Sequence, residues 1–271
     1  MAVLNERQSN AIKYIDGPLL VLAGAGSGKT RVITQKIAYL IQKCHIPAHK
    51  IFAVTFTNKA AREMNERVRQ LVKGREARGL NVSTFHTLGL KMIHRELQHL
   101  GLKPGFSIFD DQDSKTLLTE LTHKETTLDN DEVKIIRARI SNWKNELVQP
   151  ATALSRAGDA EEARAANLYT DYERHLRAYN AVDFDDLILI PTLMLRDHTE
   201  IRERWQQRVN YLLVDEYQDT NTSQYLLVKL LVGQRAAFTV VGDDDQSIYA
   251  WRGAQPENLA HLHKDYPNLA V

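Results

Sequence analysis

Pro18-Leu19-Leu20-Val21-Leu22-Ala23-Gly24-Ala25-Gly26-Ser27-Gly28-Lys29-Thr30 decides how this chain is read. An apolar run of strand length gives way to a glycine-rich turn, and from Lys29 to Lys43 apolar residues recur at helical spacing. Strand, turn and helix in that order are the setting a phosphate-binding loop needs. Glycines let backbone N–H groups close around phosphate oxygens, and the helix N-terminus adds partial positive charge. Lys29 then meets the β- and γ-phosphates, and the Thr30 hydroxyl can hold Mg²⁺. The strict pattern opens on Gly where this chain has Ala23, but Gly24, Gly26 and Gly28 still supply the flexibility. Ala23, Gly24, Ala25, Gly26, Ser27, Gly28, Lys29, Thr30 and Arg31 form the candidate nucleotide-binding set.

Outward from this stretch, four more short apolar segments read as buried parallel strands: Ile51 to Phe56, Asn81 to Phe85, Tyr211 to Val214 and Phe238 to Val241. Helical patterns at Lys29 to Lys43 and Asn58 to Lys73 supply crossovers, so the fold class is α/β with a doubly wound parallel sheet. From about His86 to Arg208 no strand pattern stands out, only amphipathic helical stretches such as Asp131 to Leu147 and Ala160 to Tyr179. The expected organisation is therefore a sheet domain in two parts, 1–85 and 209–271, with an all-helical insertion at 86–208.

Thirty-five Lys plus Arg against 34 Asp plus Glu leave a net charge of +1, so any nucleic-acid surface must be local. The single cysteine, Cys44, cannot close an intrachain disulfide, and no Cys/His cluster has zinc spacing. The N-terminus lacks the apolar core of a secretory signal. The uncharged run Leu187 to Leu195 contains Pro191 and is about half a membrane span. A reduced, cytoplasmic protein without membrane partners is the expectation.

Two further strand ends complete a hydrolytic site. Leu212-Leu213-Val214-Asp215-Glu216 puts two acids where a parallel sheet presents its ligand edge; Asp215 would hold Mg²⁺ and Glu216 would orient or deprotonate water. Val240-Val241-Gly242-Asp243-Asp244-Asp245-Gln246 places an amide beside a carboxylate-rich turn, and Gln246 is expected to sense the γ-phosphate. Lys29, Glu216 and Gln246 are the candidate catalytic residues. Tyr249 and Trp251, beside Arg252, suit stacking on unpaired bases, although such aromatics also serve as core. Phe56, Thr57, Asn58, Thr84 and His86, at two other strand ends, are candidate nucleic-acid contacts, while Thr57 and Asn58 can equally cap the following helix.

Together these motifs resemble the UvrD, PcrA and Rep group of superfamily-one DNA helicases, its Rep branch most, over essentially the whole chain. Leu4-Asn5-Glu6-Arg7-Gln8 is similar to the group's Q motif, which makes Gln8 the adenine contact. Ala23 to Thr30 matches motif I, Ala53 to Ala61 motif Ia, Leu213 to Thr220 motif II and Val241 to Ala254 motif III. Ser83 to Thr87 matches a further DNA-contacting motif, and Asp183-Phe184-Asp185-Asp186-Leu187 is a signature of the group. The resemblance implies a RecA-like ATPase domain with a helical insertion, and ATP with Mg²⁺ as cofactors. It also implies 3′ to 5′ movement on single-stranded DNA and unwinding of a 3′-tailed duplex. Motifs IV to VI are not among the 271 residues, so the chain reads as the first half of such an enzyme, poorly active without the other half.

Rival classes are tested by the same residues. Asn58-Lys59 is followed by Ala60-Ala61, which is no guanine reader, and the Leu-Ser-Gly-Gly-Gln of ABC ATPases is absent. A nucleotide-responsive single-strand-binding module without motor activity, or the helicase part of a nuclease-helicase subunit, stays open.

Overall fold

A computed structural model of the chain describes residues 3–24, 26, 28–123, 129–243 and 257–271. The helices are α1 (Glu6–Lys13), α2 (Lys29–Gln42), α3 (Asn58–Leu71), α4 (Phe85–Arg95), α5 (Leu97–Leu100), α6 (Asp111–His123), α7 (Asn130–Asn145), α8 (Pro150–Ser155), α9 (Ala160–Ala178), α10 (Asp186–Asp197), α11 (Thr199–Arg208), α12 (Thr222–Val232) and α13 (Glu257–Asp265). The strands are β1 (Leu19–Leu22), β2 (Ile51–Thr55), β3 (Asn81–Thr84), β4 (Ser107–Phe109), β5 (Ala181–Asp183), β6 (Tyr211–Val214) and β7 (Phe238–Gly242). They form two compact units: residues 1–88, 195–221 and 225–271, and residues 89–194 with 222–224.

The first unit is built on a sheet of strand order β1-β7-β6-β2-β3, with every pairing parallel. β2, β6 and β7 are buried at every residue, as expected of strands covered on both faces. One face carries Ile51, Ala53, Tyr211, Leu213 and Val241 against Ile33, Ile37 and Leu40 of α2 and Met64 and Val68 of α3. Because all five strands run the same way, their carboxyl ends share one edge, and the glycine-rich loop, the acid pair after β6 and the motifs after β2, β3 and β7 lie at such ends. At the outer side of β1, Ala270 accepts from the Leu20 N–H and donates to Pro18, tying the last residues to the sheet.

The second unit corrects the all-helical expectation for the insertion. β4 and β5 pair in parallel, Ser107 beside Ala181 through Phe109 beside Asp183. Three residues are too short for a period-two pattern to emerge from sequence. The pairing depends on Asn180, whose backbone is left-handed (φ 49°) after α9 and whose side-chain amide bonds both the N–H and the C=O of Lys103. Around it, Leu118, Ile140, Ala166, Tyr169 and Tyr172 fill a core shared by α6, α7 and α9.

Helix α11, expected within the insertion, belongs to the first unit. Ile201 and Trp205 are buried, the Gln206 amide donates to Leu230 O at 2.8 Å, and Arg235 donates to Gln206 O at 2.7 Å. Amphipathic spacing identifies a helix without saying which core takes its apolar face.

Candidate nucleotide site and nucleic-acid edge

The glycine-rich turn leaves the end of β1, where the Ala23 N–H donates to Gly242 O of β7 at 3.2 Å. Gly28, at φ 82° and ψ 28°, is the N-cap of α2 and offers no side-chain cap. A left-handed cap of this kind suits glycine, and having no side chain, the cap itself supplies no acceptor to the first amides of α2, the arrangement found where a helix N-terminus meets an anion. Ala25 and Ser27 lie outside the described residues. Thr30 and Arg31 open α2 beside Lys29, each half-buried.

Strand order does the assembling. β7 lies between β1 and β6, with Leu22 opposite Gly242 and Val214 opposite Val240, so three motif-bearing ends are sheet neighbours. Lys29 Nζ stands 3.8 Å from Asp243 Oδ2. Asp215, one residue past β6, is buried; desolvation first and the neighbouring Glu216 second push its carboxyl up to about 6. The Glu216 N–H and Lys29 oppose this rise without cancelling it. Glu216 itself has left-handed backbone (φ 51°, ψ 44°), unusual for a residue with a side chain. Gln218 holds it: its amide nitrogen donates to Glu216 Oε2 at 2.6 Å, while its oxygen accepts from the Asp243 N–H at 2.9 Å. One buried amide thus joins the acid after β6 to the backbone after β7.

Gln218 and the Lys29–Asp243 pair were not singled out from sequence. The available signal was a glutamine two places beyond an acid pair at a strand end. Gln246, Tyr249 and Trp251 lie outside the described residues.

Gln8 sits in α1 as the third residue of a capping box: its Oε1 accepts from the Asn5 N–H at 3.0 Å, and Asn5 Oδ1 accepts from the Gln8 N–H at 2.8 Å. Its Nε2 lies only 3.1 Å from where a Cβ on Gly28 would stand. Gln8, the adenine contact that the resemblance implies, therefore lies against the glycine-rich loop, with its side-chain oxygen engaged by the cap.

At the far side of the same edge, Thr55 of β2 lies opposite Thr84 of β3. Thr57 caps α3, its hydroxyl accepting from the Ala60 N–H at 3.1 Å, while Asn58 and Lys59 are exposed at that helix start. Thr84 is buried, and its hydroxyl accepts from the Thr87 N–H and donates to the Thr87 hydroxyl, both at 3.1 Å. The hydroxyl expected to meet phosphate at Thr84 is thus engaged in turning the chain into α4. His86 and Phe56 are half-buried beside it, and the Phe56 ring packs 5.4 Å from that of Phe85.

A parallel sheet that presents a glycine-rich loop, a lysine, a buried acid followed by a half-buried one, and a bridging amide along one edge defines a RecA-like α/β domain of the phosphate-loop class. The model of the UvrD/REP helicase N-terminal domain matches residues 4–267, and the chain belongs to that family. It is 60% identical to the ATP-dependent DNA helicase Rep of Salmonella typhimurium and 59% identical to that of Escherichia coli, over 270 residues in each case. The ATP-dependent DNA helicase PcrA of Staphylococcus aureus is 44% identical over 266 residues. These matches cover 99%, 99% and 97% of the chain; it spans about 40% of the length of the two Rep proteins and 36% of PcrA. Among the described residues no helix is long and apolar enough to cross a membrane.

Proposed function

We propose that this chain is the N-terminal, ATP- and DNA-binding portion of an ATP-dependent DNA helicase, which couples ATP hydrolysis to 3′ to 5′ movement on single-stranded DNA and to opening of a 3′-tailed duplex. The first unit is read as the ATPase domain and the second as its insertion. One observation carries the reading: the parallel sheet delivers Lys29, Asp215, Glu216 and Asp243, together with the loops after β2 and β3, to a single edge.

In this reading Gln8 meets the adenine edge, and the amides opening α2 cradle phosphate. Lys29 exchanges Asp243 for the β- and γ-phosphates. Thr30 and Asp215 would hold Mg²⁺, which would offset the negative charge of the phosphates during transfer. The donors fit: hydroxyl and carboxylate oxygens suit a hard cation, and a buried carboxyl pushed up to about 6 gains from a neighbouring positive charge. Glu216 orients the attacking water and takes its proton, with Gln218 fixing the carboxylate. Gln246 is assigned to the γ-phosphate, and Tyr249 and Trp251 to stacked bases, on sequence grounds. Asn58, Lys59 and His86 extend the DNA contact along the edge.

DNA-stimulated ATP hydrolysis, measured beside ATP binding, tests this. Lys29→Ala is expected to lose ATP binding. Glu216→Gln is expected to keep binding while turnover falls by about 10² to 10⁴, the usual worth of a general base. DNA affinity that responds to ATP without any turnover in the parent chain would instead support the binding-module reading.

A further inference from the structure

Lys36 is fully buried, and the hydrolytic site does not use it. It lies seven residues beyond Lys29, two turns along α2 and on the same helix face. Its ammonium nitrogen donates to Ala11 O at 2.9 Å and to Tyr14 O at 2.5 Å. Ala11 lies in the last turn of α1 and Tyr14 is its C-cap, where helix geometry leaves acceptors without intrahelical donors. Among the described residues no carboxylate pairs with Lys36; the aromatic ring of Tyr211 stands 5.5 Å away. Burial lowers its pKa to about 7, with Cys44 opposing part of the drop. Either protonation state has the two hydrogens that these two bonds need.

Helix α1 has eight residues, too few to be stable alone, and it buries only Ile12. Its N-terminal end is closed by the Asn5–Gln8 box and its C-terminal end by Lys36. Gln8, between these two fastenings, has its amide nitrogen against Gly28, the cap of the helix that carries both lysines. A single rigid helix thus connects the phosphate-binding lysine to the group that holds the base-reading helix.

We propose that Lys36 is a positioning residue for base selectivity: by closing the C-terminal carbonyls of α1 from α2, it keeps Gln8 in register with the phosphate loop before nucleotide arrives. This rests on the reading of Gln8 as the adenine contact. A lysine serving only as packing would change stability and affect all phosphate ligands alike. A positioning lysine changes the discrimination between bases.

The experiment compares binding of ATP, inosine triphosphate and inorganic tripolyphosphate by the parent chain, Gln8→Ala and Lys36→Met, with circular dichroism on each. Inosine keeps N7 but replaces the 6-amino donor with an oxygen, so it reports the edge that Gln8 reads. Lys36→Met is expected to lose about fivefold or more of the ATP preference, a coupling of ordinary size, with tripolyphosphate affinity unchanged. Gln8→Ala should lose the same preference. A folded Lys36→Met with the parent's preference, or with equal losses for all three ligands, overturns the proposal. Should that variant not fold, hydrogen exchange on the parent decides. Amides from Ser9 to Tyr14 protected without nucleotide support it, and their free exchange overturns it. Failure of the nucleotide-site reading is distinct, because the parent would then bind neither ATP nor tripolyphosphate.

Discussion

Asp215 and Glu216 are adjacent acids held apart in role by their surroundings. Asp215 is buried at the strand end, whereas Glu216 turns outward on left-handed backbone and is caught by Gln218. Strain of this kind persists only where neighbours over-determine it, and Gln218, anchored on the Asp243 N–H just after β7, supplies that restraint. The raised Asp215 pKa gives a signed expectation. Its native value, about 6, lies above the ordinary carboxylate range, so the folded chain binds more protons than the unfolded chain between roughly pH 4 and 6. Stability contributed by this group therefore falls as pH rises through that window, and Asp215→Asn should remove that part of the profile in urea titrations. The affinity for ATP with Mg²⁺ should move oppositely, weakening about tenfold per pH unit below about 6, because the cation must displace the proton. An affinity that is flat from pH 7 to pH 5 would mean that Asp215 is not the ligand. Gln218→Ala should leave ATP binding intact and lower turnover, as measured by single-turnover hydrolysis, since it frees the Glu216 carboxylate without touching Lys29.

At the scale of elements, close approach decides more than propensity. Gly89 in α4 meets the carbonyl of Leu187 in α10 so tightly that a Cβ would stand 1.6 Å from the oxygen. No rotamer relieves a clash with backbone, so Gly89→Ala must push the two helices apart. The expected loss is about 3 kcal/mol or more, read from urea unfolding, the upper end of what overpacking costs. A variant as stable as the parent would show that α4 and α10 do not pack this way. Caps follow simpler rules: Asn5 with Gln8 and Asp129 with Glu132 form reciprocal boxes, and both pairs have the three-residue spacing that sequence displays.

Each unit of the whole molecule solves its own burial problem. In the second unit, Lys144 is fully buried and bonded to Asp183 and Asp186, each at 2.9 Å, and to Glu173. Tyr172 donates to Asp183 at 2.8 Å, and Arg137 lies beside Asp183 and Asp185. Desolvation disfavours the Lys144 charge, but the three acids outweigh it and hold its pKa well above the ordinary lysine value. Removing one member of such a cluster strands the others, so Lys144→Met is expected to cost roughly 3 to 5 kcal/mol. Hydrogen exchange should locate that loss in α7 and α9. The network also accounts for the acids of the Asp183-Phe184-Asp185-Asp186-Leu187 signature as structural groups. The whole chain has a net charge of only +1, so any DNA surface must be local, and in the first unit α3 exposes Lys59, Arg62, Arg67 and Arg69. Trp251→Ala should weaken single-strand binding about tenfold without changing sequence preference, whereas Lys59→Ala should lower the salt dependence. Affinities across a salt series separate the two, and an unchanged Trp251→Ala would remove the stacking assignment.

By itself the amino-acid sequence determined the parallel α/β class, the phosphate loop and the two acids after β6. Each of these is a local pattern: an apolar run, a glycine spacing, a helix period. Tertiary structure decided the strand order that makes β7 the neighbour of both β1 and β6, the short β4–β5 pair, and the unit to which α11 belongs. It also decided the meaning of three polar residues whose partners are remote in the chain. Lys36 finds Tyr14 across 22 positions, Gln218 finds Asp243 across 25, and Lys144 finds Asp183 across 39. A lysine or glutamine on a helix or in a loop reads as solvated until burial removes the water, and only then must its hydrogen bonds be made within the protein.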